Sequence, residues 1–384
     1  MNIQAPLATS NLATPIAIQR PGIIEFGAGA VSIAGRWAAE HGFRRILVIA
    51  DAFNAGRLDV LVLKGEVTAF GRVKPEPDVP NLVAALAIAE QAKPDLVIGF
   101  GGGSAMDLAK LVAVLSGGDQ TFHDVVGAEK VARKGTALMQ VPTTSGTGSE
   151  AGTRAVITDP ATQNKLAVQS LHMLADIAII DPALTLTLPP TVTASTGVDA
   201  MAHCVEAFTS RKAHPLIDTY ALEGVSLVGR FLARAIKDGS DIEARAGLAL
   251  ASLYGGFCLG PVNTTAGHAI AYPLGTRHHI AHGAANALIF PHTLAFNASA
   301  MPDKTAAVLG ALGLNPTFRE TEVFDATSRY CADLGCEMKL SKLNVPRDDL
   351  PTMASEAHAI RRLLDNNPRD ISREEILAIY EKAF

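Results

Sequence analysis

Two glycine- and hydroxyl-rich turns and one scattered set of imidazoles are the places in this 384-residue sequence where chemistry could be done. The first turn is Gly99-Phe100-Gly101-Gly102-Gly103-Ser104-Ala105-Met106-Asp107, which follows an apolar run. Consecutive glycines let backbone approach a ligand closely, and a helix opening there aims free N–H groups at a pyrophosphate. The spacing is that of GxGxxG with Ser104 in the last glycine's place; a tight strand-to-helix turn without ligand fits the same residues. The second turn, Pro142-Thr143-Thr144-Ser145-Gly146-Thr147-Gly148-Ser149-Glu150, crowds hydroxyl donors that suit phosphate and ribose oxygens. The third group begins with Asp199 and His203, four apart and so on one face of a helix, with His268 and His282 downstream. One carboxylate and three imidazoles can hold a divalent metal and leave positions open for a substrate oxygen. The chain has eleven His, including His278, His279 and His292, so spacing alone leaves a metal site and a set of satisfied core histidines both standing.

The elements that must position these residues change character along the chain. Residues 45–50, 95–100, 137–141 and 177–180 are short, nearly continuous apolar runs, the pattern of parallel strands covered on both faces. Helical spacing over 81–91 and 105–115 lies between them, so residues 1–186 read as a doubly wound, Rossmann-like α/β domain. Residues 52–73 carry a short helix and a strand at most. After Leu188-Pro189-Pro190 the strand signals stop, and 193–209, 214–237, 241–258, 284–297, 303–313, 319–335 and 372–383 read as helices. The last opens on Ser372 with Glu375 three residues on, a capping-box spacing. Residues 187–384 are therefore expected to form an all-helical domain, with a cleft between the two.

Composition removes other classes of function. Charged residues are 18% and hydrophobic ones 48%, which excludes a disordered chain. Aromatics are 5%, net charge is −5 and no Lys/Arg run exceeds two, so neither a nucleic-acid nor an anionic-membrane surface is expected. The four cysteines form no CxxC pair, and no apolar stretch reaches the length of a membrane span. The first charge is Arg20, so the start lacks the basic end of a signal peptide; the reading is a soluble, cytoplasmic protein.

Taken in order, Gly101-Gly102-Gly103-Ser104-x-x-Asp107-x-x-Lys110, the Pro142–Glu150 turn, Asp199-x-x-x-His203, and His268 with His282 fourteen later resemble the iron-containing (group III) alcohol dehydrogenases. The resemblance runs from Gly22 to Asn367-Pro368-Arg369. It implies a dehydroquinate synthase-like architecture, a dinucleotide on the first domain and a metal in the cleft. It maps the ligands onto Asp199, His203, His268 and His282, and cofactor contacts onto Gly101, Gly102, Gly103, Ser104, Asp107, Thr143, Thr144 and Thr147, with Lys165 as a further candidate. The implied activity is metal-dependent, NAD(H)-linked interconversion of an alcohol and an aldehyde or ketone. The metal would act as a Lewis acid, and hydride would pass to nicotinamide C4. Fe(II) is the expected ion and Zn(II) the alternative; a homodimer or larger assembly acting on a small alcohol or aldehyde is expected. Many members carry a second His four residues after the third ligand. Here Tyr272 stands there and becomes the candidate catalytic residue, because it or water must carry the proton. Asp51, ending the first strong strand, is expected to bind the adenosine ribose and select NAD over NADP. Twenty-residue spacing from the turn would nominate Asp119 instead, but it follows Gly117-Gly118 in an expected loop. Competing readings are a hydroxyacid–oxoacid transhydrogenase, a dehydroquinate synthase-like lyase lacking its Lys/Arg cluster, and a non-catalytic relic, which the intact ligand set opposes.

Overall fold

The apolar runs become parallel strands because alternate side chains of each are buried on opposite faces. The computed structural model describes residues 12–161 and 164–384, so most of the uncharged start read for a leader lies outside the described residues. The strands are β1 (Ile23–Phe26), β2 (Arg45–Ala50), β3 (Glu66–Phe70), β4 (Leu96–Gly101), β5 (Gly127–Ala128), β6 (Ala137–Pro142), β7 (Arg154–Asp159), β8 (Asn164–Gln169) and β9 (Ile177–Ile180). Six of them form an all-parallel sheet in the order β1-β9-β6-β4-β2-β3. Helices α1 (Ile33–Glu40), α2 (Ala52–Ala55), α3 (Val79–Ala92), α4 (Gly103–Leu115) and α5 (Phe122–Val125) accompany it. Ile46, Val48, Ile98 and Phe100 pack with Trp37 and Ala38 of α1. Leu47, Ile49 and Val97 pack with Leu82 and Ala85 of α3 and Leu108 and Val112 of α4. The sheet is therefore covered on both faces, as a doubly wound fold requires.

Two features of this unit are not legible as apolar runs. β3 is an edge strand whose residues are mostly exposed. β7 and β8 form an antiparallel pair, with β5 beside β8, and β7 alternates half-buried and buried residues.

The helices of the other unit are α6 (Pro190–Thr209), α7 (Pro215–Lys237), α8 (Ile242–Leu259), α9 (Ala266–His278), α10 (His282–Asn297), α11 (Pro302–Ala311), α12 (Glu320–Asp333), α13 (Leu350–His358), α14 (Arg361–Leu364) and α15 (Arg373–Ala383). α15 opens on the expected capping box, the Ser372 side chain accepting from Glu375 N–H and Glu375 from Ser372 N–H. Three helices escaped the sequence pattern: α9, α13 and α14. α9 contains Gly267, Pro273 and Gly275, which mask its period.

The chain divides into two units that a single cut after residue 186 does not reproduce. One groups residues 19–189 with 238–249; the other groups 12–18, 190–237 and 250–384. Arg245 explains the first excursion: buried, it donates from Nε to the Gly239 carbonyl (3.0 Å) and from Nη2 to the Leu188 carbonyl (3.3 Å). The short N-terminal piece is tied to the start of α7 by the contact between His214 Nε2 and the Thr14 carbonyl (3.1 Å). Among the described residues no helix is long and apolar enough to cross a membrane, and all four cysteines are free.

Candidate active site

Asp199 and His203 sit one turn apart on α6, a helix buried along most of its length. His268 lies in the first turn of α9 and His282 opens α10. The fourteen-residue separation is a helix followed by a tight reversal: His279 takes φ 55°, and its N–H and that of Ile280 return to the carbonyls of Gly275 and Leu274. Close approach of α10 to α6 depends on Gly283, where a Cβ would stand 2.4 Å from the Ser195 carbonyl oxygen. Four ligand atoms, one from each of Asp199, His203, His268 and His282, lie within 4.8 Å of one another. The first three residues are buried and His282 is half-buried. Nε2 of His268 and of His282 stand 3.6 and 3.7 Å from Asp199 Oδ1. The rings of His203 and His268 stack with centroids 4.6 Å apart.

Two neighbours escaped the sequence reading. Glu206, three residues after His203 and so close to its helical face, is buried. Its Oε1 accepts from His268 Nδ1 at 2.6 Å, while Oε2 accepts from Thr265 N–H (2.6 Å), Thr265 Oγ1 (3.0 Å) and His268 N–H (3.3 Å). With Nδ1 engaged by Glu206, His268 keeps Nε2, 3.6 Å from Asp199 Oδ1, as the atom that can ligate an ion, the ring orientation a metal ligand needs. Gly267 leaves room for that carboxylate, since a Cβ there would stand 2.6 Å from Glu206 Oε1. Asn286, four after His282, places Nδ2 2.7 Å from Asp199 Oδ1, and 3.1 and 3.2 Å from Nε2 of His268 and His282. Its Oδ1 is buried without a partner, and a half-turn of the amide would aim an acceptor into the cluster instead. Both residues announce themselves only by helical spacing from a ligand.

The electrostatics favour a cation. Burial works against an ionised Asp199, but the charges of His203, His282 and His268 outweigh it and hold the carboxyl well below the usual range. Burial likewise works against a charged His268, yet Glu206 and Asp199 raise it to about 10. Two buried carboxylates among three imidazoles thus demand positive charge at this spot. A mixed carboxylate–imidazole set is one that Fe(II) or Zn(II) accepts. The residues fit a divalent ion. Cys204, beside His203, is a packing residue: burial pushes its thiol up to about 12.

Tyr272, one turn after His268, has its ring centroid 5.9 Å from that of His282.

In the α/β unit the two turns meet. α4 starts directly off β4 with Gly102 as its N-cap residue, so its opening N–H groups have no side-chain cap. Thr143 N–H donates to the Gly101 carbonyl (2.9 Å), which brings the second turn against the first. Gly103 is required by that approach, since a Cβ would lie 2.6 Å from Thr147 Cγ2; a Cβ on Gly102 would stand 3.3 Å from Thr144 Oγ1. Gly101, Gly102, Gly103, Ser104, Thr143, Thr144 and Thr147 are thus gathered at one end of the sheet. Asp51 caps α2: Oδ1 accepts from Asn54 N–H (2.9 Å) and Oδ2 from Asn54 Nδ2 (2.6 Å). That Oδ2 would stand 3.3 Å from a Cβ on Gly101, so Asp51 borders the glycine turn, whereas Asp119 is exposed beyond α4. Lys165, on β8, is paired with Glu76. Asp107 faces the protein: Oδ1 accepts from Ser149 Oγ (2.5 Å) and Oδ2 from Val156 N–H (2.9 Å).

Comparison with known proteins agrees with this geometry. Residues 21–182 match the family model described as iron-containing alcohol dehydrogenase, and residues 193–384 that described as Fe-containing alcohol dehydrogenase family, C-terminal. Long-chain-alcohol dehydrogenase 1 of Geobacillus thermodenitrificans is 38% identical over 358 residues, covering 89% of this chain and 90% of that protein. A crystal structure of 1,3-propanediol oxidoreductase superposes with a TM-score of 0.92 at 31% identity, covering 96% of this chain and all of the other. Sulfoacetaldehyde reductase from Bifidobacterium kashiwanohense, solved in complex with NAD+, gives a TM-score of 0.86 at 27% identity, covering 96% and 99%. Family models over both parts of the chain, together with a 38% identical relative spanning most of it, place this protein in the iron-containing alcohol dehydrogenase family, NAD-linked oxidoreductases that interconvert alcohols with aldehydes or ketones.

Proposed function

We propose that this chain binds Fe(II) at Asp199, His203, His268 and His282, prefers NAD(H) to NADP(H), and interconverts a small alcohol with its carbonyl compound. The observation that carries this reading is the buried convergence of those four ligand atoms, with Glu206 holding the tautomer of His268. The bound groups supply Lewis-acid polarisation of the substrate oxygen and hydride exchange at nicotinamide C4. The chain's residues do the rest. Asp199 and the imidazoles bind and Asn286 orients Asp199. Burial of Asp199, His203 and His268 limits water around them, which strengthens charge interactions there. Gly101, Gly102, Gly103, Ser104, Thr143, Thr144 and Thr147 are assigned to the pyrophosphate and ribose, with Lys165 as a further contact. Asp107 is assigned to the same site as the residue that holds the second turn in place. Tyr272 is assigned to proton transfer. We further propose a cytoplasmic homodimer or larger homo-oligomer that acts on small molecules and has no nucleic-acid or membrane partner.

The test strips the protein of metal and reloads it with Fe(II) or, separately, Zn(II), following NADH formation with a panel of alcohols. His268→Ala should lose bound metal and turnover while NAD binding stays measurable. Full turnover at a verified metal content near zero would overturn the reading. The relatives' names span a long-chain alcohol and an anionic aldehyde, so the substrate must be sought in this chain's own residues.

A further inference from the structure

The ring of Tyr272 has a second neighbour. The guanidinium carbon of Arg362 lies 5.6 Å from its centroid, and the same ring stands 5.9 Å from that of His282. One aromatic side chain thus links a cation to a candidate metal ligand. The placement is built rather than incidental. Arg362 belongs to α14, a single turn held against α9 by Leu363 and Leu364, which are buried in the same core cluster as Ile270 and Leu274. Asn366 fixes the turn from below, donating through Nδ2 to the carbonyls of Arg362 and Thr264, both at 3.1 Å.

The surrounding arginines are already used. Arg361 pairs with Asp365, Arg277 with Glu356 and Arg369 with Glu375. Among the described residues no carboxylate is paired with Arg362, and its side chain is exposed. Contact with an aromatic ring orients a guanidinium without consuming its N–H donors, and those donors form the fork that fits a planar or tetrahedral oxyanion. Because both groups lie within about 6 Å of one ring centroid, Arg362 and His282 are at most about 12 Å apart, within the reach of a short aliphatic chain that carries an oxyanion at one end and a carbonyl group at the other.

We propose that Arg362, oriented by Tyr272, anchors a compact oxyanion head group, carboxylate or sulfonate, at the far end of a short aldehyde or alcohol substrate. This rests on the function proposed above and names its substrate class. Arg362 is a specificity residue in this assignment; the reacting atoms are served by the metal ligands and the dinucleotide.

The experiment compares kcat/KM of the metal-loaded enzyme with NADH for matched aldehydes: succinic semialdehyde against butanal, and sulfoacetaldehyde against propanal. The anionic member of at least one pair should be favoured by tenfold or more, and the favoured pair identifies the head group. Arg362→Gln should reduce that ratio at least tenfold, chiefly through KM, and Arg362→Lys should retain part of it. Arg361→Gln, one residue away and outside the site, should leave the ratio where it is. A wild-type preference for both neutral aldehydes, or a ratio indifferent to Arg362→Gln, overturns the proposal while leaving the alcohol dehydrogenase reading intact. Should no aldehyde be reduced, that reading fails. Binding then decides the anchor: calorimetry of γ-hydroxybutyrate and isethionate on the enzyme carrying NADH should show at least tenfold weaker binding of one of them in Arg362→Gln, and equal binding of both overturns it.

Discussion

Glu206 offers the sharpest test of how the proposed metal centre is held. Its carboxylate accepts from the His268 ring and from three donors at the start of α9, all buried. Replacing it by Ala leaves those donors without a partner, and each orphaned buried donor costs about 1–3 kcal/mol. Glu206→Ala should therefore lower stability and metal affinity together, which separates nothing. Glu206→Gln is the informative change. The glutamine carbonyl oxygen can still receive the N–H groups of Thr265 and His268, so the local backbone keeps its acceptor. The amide NH2 then faces Nδ1 of His268, which must become an acceptor. The ring proton moves to Nε2, the atom that stands 3.6 Å from Asp199 Oδ1, and that atom can no longer ligate an ion. Loss of such an orienting contact lowers metal affinity by roughly 10–100-fold, about 1.4–2.7 kcal/mol of binding free energy.

The assay is competition with a chelator of known affinity for Fe(II) or Zn(II), read alongside the melting temperature of the metal-free protein. The expected result is weakened metal binding in Glu206→Gln with a melting temperature close to that of the unmutated protein. Gly267→Ala, which would push a Cβ onto the same carboxylate oxygen, should weaken metal binding in the same direction without changing charge. If Glu206→Gln binds metal as tightly as the unmutated protein, the tautomer argument is wrong and the Glu206–His268 contact serves only packing.

Asp51→Asn keeps a side chain that can cap α2 but removes the charge. Two unit charges about 5 Å apart at an effective dielectric near 20 repel by roughly 3 kcal/mol, so the unmutated protein should favour NAD at least about tenfold in kcat/KM and the variant should narrow that gap by improving NADP. Gly283→Ala would force a methyl to within 2.4 Å of the Ser195 carbonyl oxygen; overpacking of this kind costs about 1–3 kcal/mol, and thermal melting with a metal titration should show both stability and metal binding reduced. Tyr272→Phe keeps the ring beneath Arg362 and removes the hydroxyl; if that hydroxyl carries the proton, kcat should fall by roughly tenfold or more, and an unchanged kcat assigns Tyr272 to supporting Arg362 alone. His292 is buried against Phe324, and burial, then Lys382 and Lys339, lower it to about 4 from an ordinary 6.5. The unfolded chain binds that proton more readily, so the stability present above about pH 6.5 should decline as pH falls toward 4, by up to roughly 3 kcal/mol, and His292→Phe should flatten that slope in denaturant melts.

How much of this was legible in the sequence depends on what each residue touches. β2, β4, β6 and β9 were readable because both faces are covered, so all their residues but Arg45 and Gln140 are apolar or glycine. β3 showed only as the one strand allowed within residues 52–73, because it lies at the sheet edge and most of its side chains are exposed. β7 was hidden for another reason: its burial alternates, but only Ala155, Val156 and Ile157 of its six residues are apolar, which leaves a run too short to read. In the helical unit the long Ala/Leu segments were plain, whereas α9 was disguised by the glycines and proline that let it fit. Gly267 is there because Glu206 needs the space, so the feature that hides the helix is the one that builds the site. The three imidazoles of the proposed site could be chosen among eleven histidines only through resemblance to a family, since nothing in spacing separates His268 from His278 or His292. Glu206 and Asn286 lie three and four residues from ligands and could have been found by asking which residues share a ligand's helix face.

The motif Asp107-x-x-Lys110 shows how buried charged residues in a sequence pattern can fix the turns of a proposed nucleotide site from within the protein. Lys110 is wholly buried, its Nζ donating to Ser149 Oγ (2.8 Å) and to the Arg154 carbonyl (2.7 Å). Asp107 accepts from the same Ser149 hydroxyl and from Val156 N–H. Burial pushes the Lys110 ammonium down and the Asp107 carboxyl up from their ordinary values, and their mutual attraction opposes both shifts. A buried pair of this kind contributes little net stability compared with apolar residues of the same volume. What it does supply is direction: the bonds to the Ser149 hydroxyl, the Arg154 carbonyl and the Val156 N–H fix these groups against α4. That arrangement ties the far end of the second turn, Ser149, to the first turns of α4, while Thr143 ties its near end to Gly101. The stretch between, Thr144 to Gly148, is thereby stretched across the opening of α4 with its hydroxyls gathered beside free helix N–H groups. Preorganisation of that cradle, rather than added affinity from any one side chain, is what the charged half of the motif contributes.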